Sequence, residues 1–497
     1  DEYLLMNGCD HQPVQADLGK AIEVASELYP DINFKHSNFP EYIKAIKEKV
    51  PNDLEVVKGE LTSQDTDGWS TLMNCASSHI YLKQMNRKCE LALENGAEPV
   101  RVLSSVLGQN YPSDELEYSW KKLMQNHPHD SICCCSVDEV QDEMATRFNK
   151  SKQVADYLVS EGKRYIADKI NTKEYEKYKN VLPFVVFNTT GRERTSVVSV
   201  EIDVTRKSGW LKKCAYDLDE INVPNYKLID SDGNSIPFKI EDLGVRFGYD
   251  LPKDKFRQPY MARRVRVTFE AENISAVGYK TYALVEGDAE KVTDTLVSGE
   301  NCMENDAIRV EINKNGSLNV TDKASGRTYK GVAYYEETGD LGNEYMYKMP
   351  EGSKAITTQD TVAKIELAED EPYRAMYKIT NTITVPKSGD DNFEDEKRHM
   401  VFFKERVGGR SNDTVEMKIE TFVSLDKNGK GVKIKTRFDN EVKDHRVRIM
   451  VPTGINSDVH KADSVFEVVT RNNRHNAGWN NPSGCEHEQG FVSIDDG

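Results

Sequence analysis

The sequence lacks the features that mark several broad classes of protein. It contains no run of about twenty apolar residues, so no membrane-spanning helix is expected. Positive charge is in deficit, with 66 Lys and Arg against 83 Asp and Glu, and the net charge of −17 argues against nucleic acids or anionic membranes as partners. No internal repeat indicates a solenoid. No H-E-x-x-H motif is present, which argues against a zinc-dependent hydrolase of amides or esters.

Cysteine is sparse, and its spacing disfavours a metal site. Nine cysteines occur in 497 residues, and none forms the C-x-x-C pair that is typical of zinc sites. Three of them, Cys133 to Cys135, are consecutive, which excludes an ordinary disulfide framework. We expect small, buried and reduced thiols, as in a cytosolic protein. The alternative, in which their thiolates join a histidine on zinc, is less favoured by this spacing.

Apolar residues recur at helical spacing through most of the first 170 residues. Pro30 is expected to stop the first helix, and Gly96 is expected to stop the third. Long amphipathic helices with short connections indicate a helical bundle. We predict helices over residues 14–28, from residue 39, over residues 70–95, over residues 112–125, and from a capping box at residues 136–139.

The apolar period changes to two from about residue 183. Residues 265–269 alternate between apolar and polar, as expected for a strand with one buried face. Asn315 and Gly316 separate two such runs and predict a hairpin. The charged stretch 388–396 is predicted to be a solvated loop. Many short strands with turns between them indicate a large antiparallel β-sandwich.

The segment Asn126-His-Pro-His-Asp-Ser-Ile132 concentrates groups that could carry chemistry. Two imidazoles and a carboxylate lie within four residues, and Pro128 prevents a simple helical continuation. Neutral imidazole is the commonest protein ligand for zinc, and a nearby carboxylate can hold a substrate hydroxyl. Taken alone, the segment is more simply a loop at a helix end, in which the histidine and the aspartate act as caps.

A second segment near the start of the chain favours a functional site over a simple loop at a helix end. An apolar run leads into Asn7-Gly8 and then Asp10, just before Pro13 opens a helix. A strand that ends in a polar turn before a helix is where α/β folds place catalytic groups. Taken alone, Asp10 is more simply a turn residue or a helix N-cap.

Together the two segments resemble glycoside hydrolase family 38, the retaining α-mannosidases, and its bacterial branch most closely. In that branch an N-G-x-D turn precedes a helix, and an N-H-P-H-D-S-I-C element follows more than a hundred residues later. The resemblance continues over residues 69–99, 340–345 and 463–469, so it covers nearly the whole chain. The family usually has glycine at the position of Cys134.

The resemblance implies a set of site residues. Asp10 matches the catalytic acid/base, His129 matches the one zinc ligand that this part of the protein contributes, and Asp130 matches a substrate-binding position. Tyr345 matches a tyrosine that reaches the pocket from the β domain, and the alternative is a tyrosine packed at a strand edge. His11 flanks Asp10 and is expected to orient it or to line the pocket. Asp10 and His129 are therefore expected to serve one pocket.

The patterns and the resemblance together predict an α+β multidomain fold. We predict the end of an α/β barrel-like catalytic domain over residues 1–33, a helical bundle with the His-Asp loop over residues 34–175, and a β-sandwich over residues 181–497. The chain opens within an apparent strand, and the apolar run 491–494 at its other end indicates a further strand. We therefore expect a fragment, with the rest of the barrel upstream and more β structure downstream.

The implied function is the hydrolysis of α-linked mannosides with retention, by double displacement, with one zinc ion bound to the mannose hydroxyls. The family's nucleophile and its other zinc ligands match no position here and are expected upstream. The alternative is a non-catalytic carbohydrate-binding or structural fragment. The expected partner is an α-mannoside oligosaccharide in a bacterial cytoplasm, and exposed sandwich edges are compatible with a homodimer.

Overall fold

The structure is a computed structural model that describes residues 2–56, 72–252, 254–290, 292–474, 485–486 and 488–496. Its contacts divide the chain into two compact units, residues 1–63 and residues 64–497, and each is described by itself. The domain limits expected at residues 33, 175 and 181 stay predictions. Within the described residues, no helix combines the length and the apolar character that crossing a bilayer requires.

The first unit contains two helices, α1 Leu18–Leu28 and α2 Phe39–Lys47. The Asn38 side chain caps α2, because its Oδ1 accepts a hydrogen bond of 3.0 Å from the Glu41 backbone amide. The strand predicted before Asp10 is wrong, because no strand occurs among residues 2–17. A strand needs a paired neighbour for its backbone groups, and none of residues 2–56 pairs with this run. Leu5 accordingly remains 73% exposed.

The second unit begins with a helical region around one apolar core. The predicted stop at Gly96 is wrong, because the chain continues through a π-helical turn into the next helix. The core contains Leu82, Leu123 and Phe148, all 0% exposed. The elements are a 3₁₀ turn Met73–Ala76, α3 Ile80–Ala92, the π turn Leu93–Ala97, α4 Glu98–Val106, α5 Ser113–Met124, α6 His129–Cys133, α7 Asp138–Ala167 and a 3₁₀ turn Lys173–Tyr175.

The long helix α7 forms as predicted, but its capping box does not. Val137 occupies the N-cap position and makes no side-chain cap, while the Ser136 Oγ is buried and has no hydrogen-bond partner among the described residues. Asp138 and Glu139 in the first turn stabilise the helix through its dipole instead. The apolar face of α7 is buried as expected, with Met144 at 0% exposure.

Strands begin at residue 182 and form a first sandwich of antiparallel sheets. They are β1 Leu182–Asn188, β2 Arg194–Lys207, β3 Tyr226–Asp230, β4 Ser235–Ile236, β5 Phe238–Asp250, β6 Gln258–Ile274 and β7 Gly278–Glu286, with α8 Leu211–Asp219 after β2. One sheet has the order β1-β7-β3-β4, and the other has the order β2-β6-β5. Val265, Val267 and Phe269 of β6 are 0% exposed in the core between the sheets, which confirms the predicted alternation.

The remaining strands form a second sandwich and smaller sheets. They are β8 Val297–Gly299, β9 Cys302–Glu304, β10 Ile308–Ile312, β11 Leu318–Asp322, β12 Thr328–Val332, β13 Tyr334–Gly339, β14 Ile356–Thr357, β15 Lys364–Glu371, β16 Arg374–Pro386, β17 Thr414–Asp426, β18 Lys433–Arg437, β19 His445–Met450, β20 Val459–Ser464, β21 Glu467–Asn472 and β22 Val492–Ser493. Helix α9 Asp391–Arg398 and 3₁₀ turns Thr358–Asp360 and Phe403–Glu405 lie between them.

The second sandwich packs the sheet β12-β11-β10-β9-β8 against the sheet β15-β16-β17-β18. The predicted hairpin is confirmed, since Val310 pairs with Val320 and Gly316 adopts φ +84° in the turn between them. The sheet β14-β13-β19 continues this half, and β21-β20-β22 forms a further sheet. The described chain is therefore a mixed α and β fold with several antiparallel sheets, as predicted in that coarser form.

The stretch predicted to be a solvated loop is helix α9. Asp390 caps it, because its Oδ1 accepts a hydrogen bond of 2.8 Å from the Phe393 amide. Phe393 is 1% exposed. Gly408 packs so closely against it that a Cβ atom at position 408 would lie only 2.7 Å from the Phe393 Cβ. The Glu396 carboxylate, also buried, accepts hydrogen bonds from the amides of Val407 and Gly408. The prediction of a loop was wrong because some charged side chains of this stretch do not only face solvent. Asp390 caps the helix, and Glu396 binds backbone amides.

A buried ion pair anchors strand β13. The Glu337 side chain is 0% exposed and accepts a hydrogen bond of 2.8 Å from the Arg410 Nη1. The His445 Nδ1 lies 3.2 Å from the same carboxylate. Burial opposes ionisation, but the hydrogen bonds from His445 and Arg410 outweigh it and hold the pKa of Glu337 below its usual value. This pair fixes the end of β13, from which the chain turns towards Tyr345.

Replacing Glu337 should strongly destabilise the second unit. Glu337→Gln leaves the Arg410 charge buried without its partner, and we expect a loss of about 3–5 kcal/mol of unfolding free energy in urea titrations. A depressed pKa means that this contribution is present above about pH 4.3 and is lost as the pH falls through the folded pKa. The decrease in unfolding free energy that protonation of Glu337 causes at acidic pH should therefore be absent in Glu337→Gln. Glu366→Gln, which removes an exposed pair with Lys364, is the control and should leave the midpoint unchanged.

Candidate functional site

Asp10 and His11 lie together on an exposed turn of the first unit. The turn is closed by a hydrogen bond of 3.3 Å from the Gln12 amide to the Cys9 carbonyl. The Asp10 carboxylate accepts the His11 amide at 3.2 Å, and its other oxygen lies 3.3 Å from the His11 Nε2. Both side chains are more than 90% exposed, at 92% and 91%. The structure therefore brings His11 against Asp10, in a position where the imidazole can orient the carboxylate.

His129 and Asp130 begin the short helix α6 of the second unit. The His129 side chain is 95% exposed, and its Nε2 lies 3.4 Å from the Asp130 Oδ1. His127 points elsewhere, with its Nε2 2.8 Å from the Asn86 Oδ1, and burial lowers the pKa of this imidazole. The two histidines on either side of Pro128 therefore have separate surroundings, and the later one presents its ring to solvent beside a carboxylate.

Cys134 ends α6 in the left-handed conformation, with φ +67° and ψ +33°. Glycine adopts this conformation without steric cost, which is the physical reason for the glycine that the resembled family usually has here. The Cys134 side chain is accommodated because it is buried in the helical core at 3% exposure. Its Sγ also accepts a hydrogen bond of 3.1 Å from the Lys83 Nζ. The reversal at Cys134 turns the next residue back towards α6.

This reversal brings Cys135 against Cys133 and Asp130. The two Sγ atoms are 3.3 Å apart, and the Cys135 Sγ is 3.5 Å from the Asp130 Oδ1. One ligand atom from each of the three residues lies within 4.8 Å of the others, and we call Asp130, Cys133 and Cys135 the thiol cluster. Burial, followed by the Cys133 thiol and the Asp130 carboxylate, raises the pKa of Cys135 to about 11. Burial and Cys133 raise the pKa of the adjacent Cys75 to about 12.

Tyr345 reaches the thiol cluster from the turn that follows β13. A hydrogen bond to Cys135, together with burial, raises the pKa of the Tyr345 hydroxyl. The Cys135 thiol in turn contacts Asp130, so the tyrosine and the aspartate flank the same cysteine. This contact gives the position of Tyr345, and its role in a pocket stays a prediction. Within the second unit the structure thus brings together three predicted residues, His129, Asp130 and Tyr345, on one surface.

A buried carboxylate organises the turn that carries Tyr345. Asp340 accepts hydrogen bonds from the amides of Gly342 at 2.8 Å and Lys348 at 3.0 Å. Its other oxygen accepts a hydrogen bond of 2.8 Å from the Asn74 Nδ2. The same Asn74 amide donates to the Asn343 carbonyl at 2.7 Å, and the Asn74 backbone amide donates to the Tyr345 carbonyl at 3.1 Å. Asn74 therefore joins the helical region to the β turn.

A second set of contacts holds the turn from the α9 side. The Arg406 Nη1 donates to the carbonyls of Leu341, at 2.8 Å, and Gly342. The Lys348 Nζ donates to the carbonyls of Lys404 and Arg406, each at 2.7 Å. The turn is thus fixed by backbone contacts on both sides, so the position of Tyr345 is set by the sandwich as well as by the helices.

Sequence reasoning missed Asn74, Asp340 and the compactness of the thiol cluster. Asp340 belongs to a segment that carried the family resemblance, but nothing local indicates that its carboxylate is buried. Asn74 contacts residues more than 260 positions away, so no spacing pattern reveals it. The absence of C-x-x-C argued against a cysteine site. A left-handed residue between the two cysteines achieves the same proximity with C-x-C spacing.

The one imidazole that this chain supplies at His129 is a suitable ligand for zinc. The imidazole is solvent-exposed and has a carboxylate beside it, which is the environment of a histidine ligand. One imidazole alone binds zinc weakly, so further ligands are required for a tight site. His129 therefore fits the role of one ligand among several.

Removing the Asn74 amide should loosen the Tyr345 turn. Asn74→Ala leaves the buried Asp340 with one hydrogen bond fewer, and we expect a loss of about 1–3 kcal/mol of unfolding free energy. Amide hydrogen exchange should increase at residues 342–348, because the turn loses its link to the helical region. Ser77→Ala, in the exposed part of the same segment, is the matched control. Equal exchange in Asn74→Ala and the wild type would show that the turn does not need this contact.

Three family models match consecutive parts of the chain. The alpha mannosidase middle domain matches residues 70–166, the glycosyl hydrolases family 38 C-terminal domain 1 matches residues 179–286, and the glycosyl hydrolases family 38 C-terminal domain matches residues 303–497. Together these matches extend over the helical region and both β-sandwiches.

The chain is also similar to individual proteins over almost its whole length. The chain is 40% identical to a protein of Halalkalibacterium halodurans named "Putative mannosylglycerate hydrolase", over 100% of this chain and 56% of that protein. A solved alpha-mannosidase from Enterococcus faecalis V583 is 42% identical with a TM-score of 0.95, and 99% of this chain aligns with 56% of it. A second Enterococcus faecalis structure, of a protein in glycosyl hydrolase family 38, is 37% identical with a TM-score of 0.87 and the same coverage. The chain thus spans about half the length of these relatives, and it belongs to glycosyl hydrolase family 38, of which it carries the middle and C-terminal domains.

Proposed function

We propose that the chain is part of a retaining glycoside hydrolase that cleaves α-linked mannosides. The observation that carries this proposal is the meeting of Tyr345 and the His129–Asp130 segment at Cys135, because it brings matching family motifs that are some 200 residues apart in sequence to one surface. The named activities of the relatives, an alpha-mannosidase and a mannosylglycerate hydrolase, support the same substrate class.

The proposed roles follow the chemistry of each side chain. Asp10 acts as the acid/base: its carboxyl donates a proton to the leaving glycosidic oxygen and later takes a proton from the attacking water. His11, which contacts the Asp10 carboxylate, orients it. Asp130 and Tyr345 hold sugar hydroxyls by hydrogen bonds, and their contacts with Cys135 restrict both side chains before substrate arrives.

His129 is proposed as a zinc ligand. A bound zinc ion would supply a positive charge that binds adjacent mannose hydroxyls and stabilises the distorted ring. The nucleophile and the other ligands match no residue of this chain, so double displacement belongs to the whole protein. The proposal of a cytoplasmic location rests on the family resemblance and on cysteine spacing that does not form a disulfide framework.

The competing proposal is a carbohydrate-binding or structural part without catalysis of its own. It differs from the first proposal at Asp10, since a binding scaffold needs no proton donor there. It also predicts that sugar affinity resides in Asp130 and Tyr345 without any contribution to turnover.

Asp10→Asn in the full-length protein should lower kcat on unactivated α-mannosides by about 10²- to 10⁴-fold. An amide holds no transferable proton, so the loss should shrink on a 4-nitrophenyl α-mannoside, whose leaving group needs little protonation. Mannose release from both substrates, and from mannosylglycerate, provides the measurement. Asp17→Asn, at an exposed position just before α1, is the matched control and should retain wild-type rates. Full activity of Asp10→Asn on the unactivated substrate would exclude Asp10 as the acid.

A further inference from the structure

The thiol cluster contains ligand types that differ from the imidazole site proposed at His129. We propose that Asp130, Cys133 and Cys135 bind one thiophilic divalent cation of the zinc class. The site uses two sulfur atoms and one carboxylate oxygen, and it leaves a fourth position open to water. It does not include His129, but it shares Asp130 with the sugar-binding role proposed above, so an ion and a sugar hydroxyl would compete for that carboxylate.

The distances between the ligand atoms fit a tetrahedral ion closely. Zinc binds sulfur at about 2.3 Å and carboxylate oxygen at about 2.1 Å, which places two sulfurs about 3.7 Å apart and a sulfur and an oxygen about 3.6 Å apart. The observed separations are 3.3 Å between the Cys133 and Cys135 sulfurs and 3.5 Å between the Cys135 sulfur and the Asp130 oxygen. These two separations need adjustments of a few tenths of an ångström, and the third separation, between the Cys133 sulfur and the Asp130 oxygen, lies within 4.8 Å.

The local backbone explains why C-x-C spacing works here. Asp130 and Cys133 are three residues apart on α6, so their side chains share one helix face. Cys134, in the left-handed conformation, reverses the chain and returns Cys135 to that face. The Cys134 side chain is buried in the core, so the reversal is fixed by packing. The three ligands are therefore held close together before any ion binds.

Hydrogen-bond donors and one cation lie next to the two cysteines. Cys133 and Cys135 are half-buried, so an ion from solvent can reach them. The Tyr345 hydroxyl hydrogen-bonds to the Cys135 sulfur, and the Cys75 thiol hydrogen-bonds to Cys133. Such donors from outside the ligand set stabilise the negative charge of metal-bound sulfur. The Lys83 ammonium, 3.1 Å from the Cys134 sulfur, adds a positive charge next to the cluster.

Cobalt(II) is the probe that reports sulfur ligands directly. The 497-residue chain, freed of metal and kept reduced with a phosphine, is titrated with Co²⁺ while the thiolate-to-cobalt charge-transfer band is followed. We expect saturation at one equivalent with tetrahedral visible bands, displacement by Zn²⁺, and affinity that rises with pH because binding releases thiol protons. Cys135→Ser and Cys133→Ser should each weaken binding by roughly 100-fold or more and reduce the band.

Two controls separate this site from other ligands. His129→Ala should keep the charge-transfer band at wild-type affinity, which distinguishes the thiol cluster from the zinc role proposed for His129. Cys9→Ser, which removes an exposed thiol of the first unit, should also leave the titration unchanged. Loss of the band in His129→Ala would overturn the proposal of a separate site, whatever the outcome of the activity assays.

A second measurement on the wild-type chain keeps the proposal testable if the serine variants fold poorly. Iodoacetamide labelling is quantified by mass spectrometry for each cysteine, with and without one equivalent of Cd²⁺. We expect the cation to protect Cys133 and Cys135 at least tenfold while Cys9 labels at the same rate. No charge-transfer band, or equal labelling of Cys133 and Cys135 with and without Cd²⁺, would overturn the proposal.

Discussion

The buried Asp340 carboxylate is the interaction on which the candidate site of the second unit depends. Burial raises its pKa, and the amides of Gly342, Lys348 and Asn74 oppose that shift by donating hydrogen bonds to it. One of these donors comes from the helical region and two come from the β turn itself. A single carboxylate therefore sets both the shape of the turn and its attachment to the helices. This link acts together with the hydrogen bonds from Asn74 to the carbonyls of Asn343 and Tyr345, which also join the turn to the helical region.

The scaffold around this link is built from ordinary packing. The helical core positions α6 through Cys134, while the Glu337–Arg410 pair anchors β13 at the other side. The Arg406 guanidinium then bridges from the α9 region to the carbonyls of the turn. The Arg406 contacts act on the backbone of the turn, and the His129 and Asp130 side chains still face solvent. This arrangement suits a surface that binds polar ligands, because rigidity is supplied from beneath it.

The sequence alone predicted the elements with strong local signals. The alternation in β6, the hairpin at Gly316 and the long helix α7 follow from apolar period and turn chemistry, and all three are confirmed. The strand before Asp10 and the loop at residues 388–396 were predicted wrongly. In the first case the apolar run has no partner to pair with among residues 2–56, and in the second the charges serve as caps and anchors for α9.

The candidate site was predictable where a motif carried it, and otherwise was not. His129, Asp130 and Tyr345 were proposed through family resemblance, and the structure places them on one surface of the second unit. The roles of all five residues, Asp10, His11, His129, Asp130 and Tyr345, stay predictions. Asn74 and the thiol cluster were missed because their geometry arises from contacts across the fold and from one left-handed residue, and neither leaves a periodic trace in the sequence.

The buried side chain at Cys134 has a further consequence for how this surface changes over evolution. A glycine at that position would separate the loop from the helical interior, so each could drift independently. Here the loop shares a residue with the core that contains Leu82 and Phe148. We therefore expect that substitutions in this core shift the loop that carries the exposed imidazole and carboxylate, although the substituted residues lie away from the surface.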